Sequence, residues 1–256
     1  MMSNIFSRIF KRKRPNESSV LTVEAKTLVN DEINVARELL KEATQLKREK
    51  KYEEACDKLK EAYSAKGSEN IMIEERLRLP MYLQLSGKND DGWRILNELN
   101  VTHVDVFSQL KIADQMRIFL QKEKKNEHAI LFGAWVICKR VEAARFNIAS
   151  SISMSDEMSQ FDSEINIPEL SKERREIYGY TEKGRPISDP TYKMFCDQIE
   201  NDISLEGVKE HLLPLLKKAK LEARLDGMSS DLSDYLNSRT KYDLAEVRDI
   251  VFSEKK

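Results

Sequence analysis

The sequence predicts an all-α protein: about three helical hairpins stacked as a solenoid, followed by a small helical C-terminal unit. A five-residue signature returns at a fixed spacing of 37 residues: Lys-Tyr-Glu-Glu-Ala at 51–55, Lys-Asn-Asp-Asp-Gly at 88–92 and Lys-Asn-Glu-His-Ala at 125–129. Nine residues before each closing small residue stands a leucine: Leu46, Leu83 and Leu120. Glycine (8) and proline (6) are scarce in a chain of 256 residues, and apolar residues recur at helical rather than alternating spacing. A leucine, a polar turn, acidic residues and a small residue opening the next apolar stretch describe two helices joined by a tight turn. Periods of roughly 20–50 residues mark stacked arrays, because one hairpin alone leaves an apolar face open.

The segment 1–16 is basic and amphipathic. Ile5, Phe6, Ile9 and Phe10 form a short stripe, Arg8, Lys11, Arg12, Lys13 and Arg14 follow without an acid, and Pro15 ends the run. Three readings stay open: a tail packed on the first helix, contact with an anionic membrane surface, or contact with nucleic acid.

Residues 17–149 hold the repeats. A helical pattern begins near Glu17 with Leu21, Ala25, Leu28 and Val29. In the first hairpin Val35, Leu39, Ala43 and Leu46 face Ala55, Leu59, Ala62 and Tyr63. The second sets Ile73, Leu77, Pro80 and Leu83 against Trp93, Leu96 and Leu99. The third sets Ile112, Met116 and Leu120 against Ala129, Phe132, Trp135, Val136 and Val141. A proline in a helix interior costs about 3 kcal/mol, so Pro80 predicts a kink or a late helix start.

Ala43, Leu46, Tyr52, Ala55, Leu59 and Ala62 follow one another in the order and spacing of the tetratricopeptide repeat, and the chain resembles that family. The first copy matches over about one repeat, and the later copies depart from it at Pro80 and Arg117. The 37-residue spacing exceeds the family's roughly 34, which implies longer loops, and Gly67 stands where the family's terminal proline would. The resemblance implies a superhelix whose first helices line a concave groove. The inward-facing offsets fall on Arg37, Lys47 and Arg48, then Leu77, Met81 and Gln84, then Lys111, Gln121 and Lys122. A cationic rim over an apolar middle suits an acidic peptide, through charge-assisted hydrogen bonds. The same cations also read as the solvated side of ordinary helices.

From 150 to 189 the periodicity fades into serines and then Pro168, Gly179, Gly184, Pro186 and Pro190, and an irregular linker or loop is expected, with a short helix near Glu169–Tyr178. Basic and aromatic residues interleave over 174–185, as in nucleic-acid contacts or in a loop clamped on its own domain. The unit 190–256 predicts helices at Tyr192–Asp202, Leu205–Leu225 (bent or split at Pro214), Met228–Leu236 and Leu244–Phe252, the last capped by Thr240 with Asp243.

Lys+Arg (43) nearly cancels Asp+Glu (44), which argues against a globally basic nucleic-acid coat and against an acidic solvating chain. Cys56, Cys138 and Cys196 are widely spaced, fitting a reducing compartment rather than a disulfide framework or zinc site. The longest apolar run, Ala129–Cys138, is too short to span a bilayer, and no signal-peptide pattern follows the basic start, so a cytoplasmic location is expected. His103, His128 and His211 sit in no nucleophile motif, and no phosphate-binding glycine loop occurs. Trp93 and Trp135 read as core. The expectation is a non-catalytic, cofactor-free adaptor or regulator that binds a protein or peptide through the groove. The alternative is an accessory protein holding nucleic acid or an anionic membrane through 8–14 and 174–185.

Overall fold

The computed structural model describes residues 35–161, 179–180, 183–184, 186–187 and 190–253. The basic segment, the pattern from Glu17 and the short helix expected near Glu169 lie outside the described residues. Apart from one antiparallel pairing of two residues each, Gly179 with Ile187 and Tyr180 with Pro186, the regular structure described is helical. The chain divides into two compact units, 1–92 and 93–256.

In the first unit α1 (35–48) and α2 (Tyr52–Ser64) form the first hairpin. Ala36, Leu40 and Ala43 on α1, with Ala55, Leu59 and Ala62 on α2, are buried. A short 3₁₀ turn, Ser68–Asn70, leads to α3 (Ile73–Arg76) and α4 (Arg78–Leu85). The helical run breaks at Leu77, which places Pro80 in the first turn of α4, where a missing N–H costs least. The carbonyl of Arg76, four residues back, has no N–H to receive from proline. The Tyr63 hydroxyl serves that end, donating to Glu75 O at 2.6 Å and Arg76 O at 3.4 Å. Burial pushes the Tyr63 phenol well above its usual range, so it stays a donor.

The second unit takes up most of α5 (Asn89–Thr102), then α6 (Val106–Lys122) and α7 (Asn126–Phe161). Asp105 caps α6, accepting from Ser108 N at 2.9 Å. The indole N–H of Trp93 donates to Glu123 Oε1 at 3.1 Å while its ring meets Phe119 edge-on, so the core expectation holds for it in part-buried form. Then come α8 (Pro190–Ile203), α9 (Leu205–Ala219), a 3₁₀ turn at Glu222–Arg224, α10 (Leu225–Ser238) and α11 (Leu244–Phe252).

All three signature turns share one hydrogen-bond pattern. Lys51, Lys88 and Lys125 donate their N–H to Leu46, Leu83 and Leu120 carbonyls at 2.9, 2.8 and 3.0 Å. The preceding residues, Lys50, Gly87 and Lys124, have φ of 63°, 81° and 61°. This is the left-handed helix stop in which the second residue past the cap reaches back to the third-last carbonyl. The repeated leucine thus marks the last turn of each first helix. Its side chain is buried at Leu83 and Leu120 but only half-buried at Leu46.

Four expectations are corrected. The serine-rich start of the expected loop at 150–189 is helix as far as Phe161. Serine costs well under about 1 kcal/mol in a helix interior, and no glycine or proline intervenes between Gly133 and Pro168. The helices from 190 onward do not form a core apart from the third hairpin. Ile130, Ala134, Ile137, Cys138 and Val141 of α7 share one with Val208, Leu212, Leu216, Leu232, Leu236 and Val247. α9 is not split at Pro214, and it stops at Ala219 rather than reaching Leu225, with Lys220 at φ 60°. Finally, Asp243, not Thr240, caps α11, its carboxylate accepting from Ala245 N and Glu246 N at 2.7 and 3.2 Å.

Candidate functional site

The nine residues expected to line a groove divide between the units. In the first, Arg37 and Arg48 border a shallow cleft of ≈ 330 Å³ along α1 and α4, together with Glu75 and Arg78. Four cations, Arg37, Lys41, Arg48 and Arg78, border it against one carboxylate: Glu75, mostly buried, takes Arg37 at 3.4 Å and Arg78 at 3.8 Å. Lys47 does not border this cleft. Leu77, expected as its apolar floor, is 6% exposed and belongs to the core, because the chain breaks there and turns the side chain inward. Met81 and Gln84 are half-buried on α4.

In the second unit the three expected residues have different surroundings. Lys111 borders the larger cleft described next, Gln121 Oε1 accepts from Lys218 Nζ at 3.5 Å, and Lys122 is exposed. Arg8, Lys11, Arg12, Lys13 and Arg14 lie outside the described residues, as does most of 174–185.

The larger cleft, ≈ 530 Å³, is formed by α6, α7, α8 and α9. That is within the roughly 300–1,000 Å³ of ordinary ligand pockets. Leu110, Val136, Ile137, Pro214 and Leu215 supply apolar walls, and Lys111, Arg117, Arg140 and His211 supply polar and cationic ones. Gly133 sits in the lining where α7 meets α9, and a methyl group there would run into Leu215. The absent methyl is the space that the end of the Leu215 side chain occupies.

The polar side of the cleft is an ordered network. Arg117 is held by Asp114 one helical turn away, with Nη2 at 2.6 Å and Nε at 2.8 Å from Oδ1. Arg140 reaches α8, its Nη2 lying 3.0 Å from Oδ1 of Asp202, a carboxylate that is 0% exposed. His211 joins both, with Nε2 2.9 Å from Arg140 Nη1 and 3.3 Å from Asp202 Oδ1. A buried carboxylate is tolerated only when paired, and Arg140 is its cationic partner. Oδ2 of Asp202 is buried with no hydrogen-bond partner among the described residues.

Sequence reasoning placed only Lys111 here. In the sequence Arg117 stands only as a departure from the repeat pattern and His211 as an isolated histidine. The available signal was the apolar run at 129–138, which has no polar side and therefore demands partners on two faces. Elsewhere, burial pushes the Cys56 thiol up to about 11 and raises Cys138 further, so both are inert packing residues. Among the described residues no group of three or more His, Cys, Asp or Glu is placed to hold a metal ion. No helix there is long and apolar enough to cross a membrane. No family model, curated protein or solved structure matches the chain.

Proposed function

We propose that this protein is a non-catalytic, helical-repeat binding module that recognises a protein or peptide segment carrying an acidic group beside an apolar side chain. The observation that carries the reading is the cleft of the second unit, where apolar walls from Leu110, Val136, Ile137 and Leu215 stand beside Lys111, Arg117 and Arg140. Apolar area supplies affinity and the few charged groups fix orientation, the usual division of labour in a pocket. The three matching helix stops support a repeated-hairpin, tetratricopeptide-like architecture.

The test is capture of a partner on the intact chain, followed by titration against Lys111→Glu. Lys111 is exposed, so the melting temperature should hardly move. Affinity should fall by roughly tenfold, the value of one hydrogen bond to a charged group. Unchanged affinity would place the partner elsewhere. Loss of binding that tracks salt steeply and is competed by nucleic acid would instead favour contact through the basic segments.

A further inference from the structure

In the Arg140–Asp202–His211 triangle the His211 Nε2 faces two partners that it cannot serve at the same time. Nε2 of an imidazole either offers a lone pair or carries a hydrogen, never both. It lies within hydrogen-bond distance of a donor that cannot lose its protons, Arg140 Nη1 at 2.9 Å, and of a carboxylate acceptor, Asp202 Oδ1 at 3.3 Å. A neutral His211 protonated at Nδ1 satisfies the first contact: Nε2 accepts from Arg140, whose other amine stays on Asp202 at 3.0 Å. An imidazolium satisfies the second: Nε2–H donates to Asp202, no lone pair remains for Arg140, and two cations face each other at 2.9 Å.

We propose that His211 is a proton-operated gate that releases Arg140 from Asp202 into the cleft, and that the open state takes a ligand bearing one anionic group on an apolar body. This rests on the reading of the same cleft as the ligand site. Arg140 already lines the cleft and is about one-third exposed, so rotating its guanidinium away from α8 carries it toward the ligand space. Asp202 is not left bare, because the imidazolium replaces the guanidinium as its partner, and its second oxygen is still short of a donor. The remaining charged groups that line the cleft are on α6: Lys111, and the Asp114–Arg117 pair, which neutralises itself. Pro214 and Leu215, the other α9 residues of the lining, carry no charge. Arg140 is thus the cation whose direction a proton on His211 changes.

The experiment uses the full chain and observes the His211 ring nitrogens and the Arg140 guanidinium by NMR between about pH 8 and about pH 5.5, the range in which imidazole changes charge. Without ligand, His211 should show an unprotonated Nε2 at the upper end, and the Arg140 N–H signals should change in step with its titration. Three probes are then titrated: N-acetyl-leucine, its uncharged amide and hexanesulfonate, the two anions keeping their charge over the whole range. N-acetyl-leucine should bind about tenfold more tightly at the lower pH, the size of one charge-assisted hydrogen bond, and the amide should show no such gain. In His211→Gln, checked by circular dichroism for folding, the pH-dependence should vanish while binding persists. Saturable binding of N-acetyl-leucine with equal affinity at both ends overturns the gate and leaves the cleft as a site. A pH-dependent gain with hexanesulfonate alone keeps the gate but transfers the site from a peptide to a free amphiphilic anion. No saturable shift from any probe overturns the cleft as a ligand site, and the gate with it.

Discussion

The first and third hairpins begin from the same turn and end as different structures. In both, a lysine in the left-handed region stops the first helix and a second lysine reaches back to a leucine carbonyl. In both, a glutamate just before the turn pairs with that lysine, Glu49 with Lys51 at 3.0 Å and Glu123 with Lys125 at 2.8 Å. The second helices then diverge. α2 has 13 residues, and Glu53, Glu54, Asp57 and Lys60 along it are exposed. α7 has 36 residues and is buried on two sides, against α6 and against the C-terminal helices. Turn chemistry is therefore local, whereas the number of partners follows from how much of the helix circumference is apolar.

The largest expected effect tests that contrast in burial. Leu83→Ala and Leu120→Ala, each removing a buried side chain, should cost about 2–5 kcal/mol in urea denaturation. Leu46→Ala, half-buried at the matching position, should cost below about 2 kcal/mol. Equal losses at all three would mean that the first leucine is as enclosed as the others.

Next comes the support of the proline-broken helix. Tyr63→Phe keeps the ring and removes the donor to Glu75 and Arg76. Leaving those part-buried carbonyls unserved should destabilise by about 1–3 kcal/mol. Pro80→Ala supplies an N–H in the same turn, and a clear loss of stability from Tyr63→Phe in the presence of Pro80→Ala should be smaller than in its absence. A double-mutant cycle reads the coupling, and additivity would refute it.

The turns allow a test in both directions. Gly87→Ala places a side chain at φ 81° with no neighbouring atom to meet, so only the backbone opposes it, at roughly 1 kcal/mol. Lys124→Gly at φ 61° relieves the same strain and should raise stability by up to about 1 kcal/mol. Losses at both positions would show that the two turns are not equivalent.

The last comparison is at the cap of α6. The hydrogen bond from Ser108 holds the Asp105 carboxyl below its usual range. A depressed folded value means that the group stabilises above the ordinary carboxylate range and ceases to do so as pH falls through the folded value. Asp105→Asn should retain the cap's geometry near neutrality and flatten the acid limb of the stability curve. Asp105→Ala should lose about 0.5–2 kcal/mol throughout the neutral range.

Much of this architecture was legible in the residues, because periodicity and helix stops are local. The three turns, α11 at Leu244–Phe252 and the trouble at Pro80 could all be read directly. The candidate site was not. Arg140 and His211 are 71 residues apart, and no local pattern relates a helix-interior arginine to a distant histidine.

What the sequence by itself determined is where helices start, stop and repeat, since each depends on a few consecutive residues and their hydrogen bonds. What only the tertiary structure decided is which faces meet. Leu77 went to the core rather than a groove, and α7 took partners on two sides. Gly133 leaves the space that the end of the Leu215 side chain fills in the lining of the cleft beside Arg140 and His211. Those outcomes depend on volumes and charges contributed by segments far apart in the chain, and burial energy is settled only when all of them are in place.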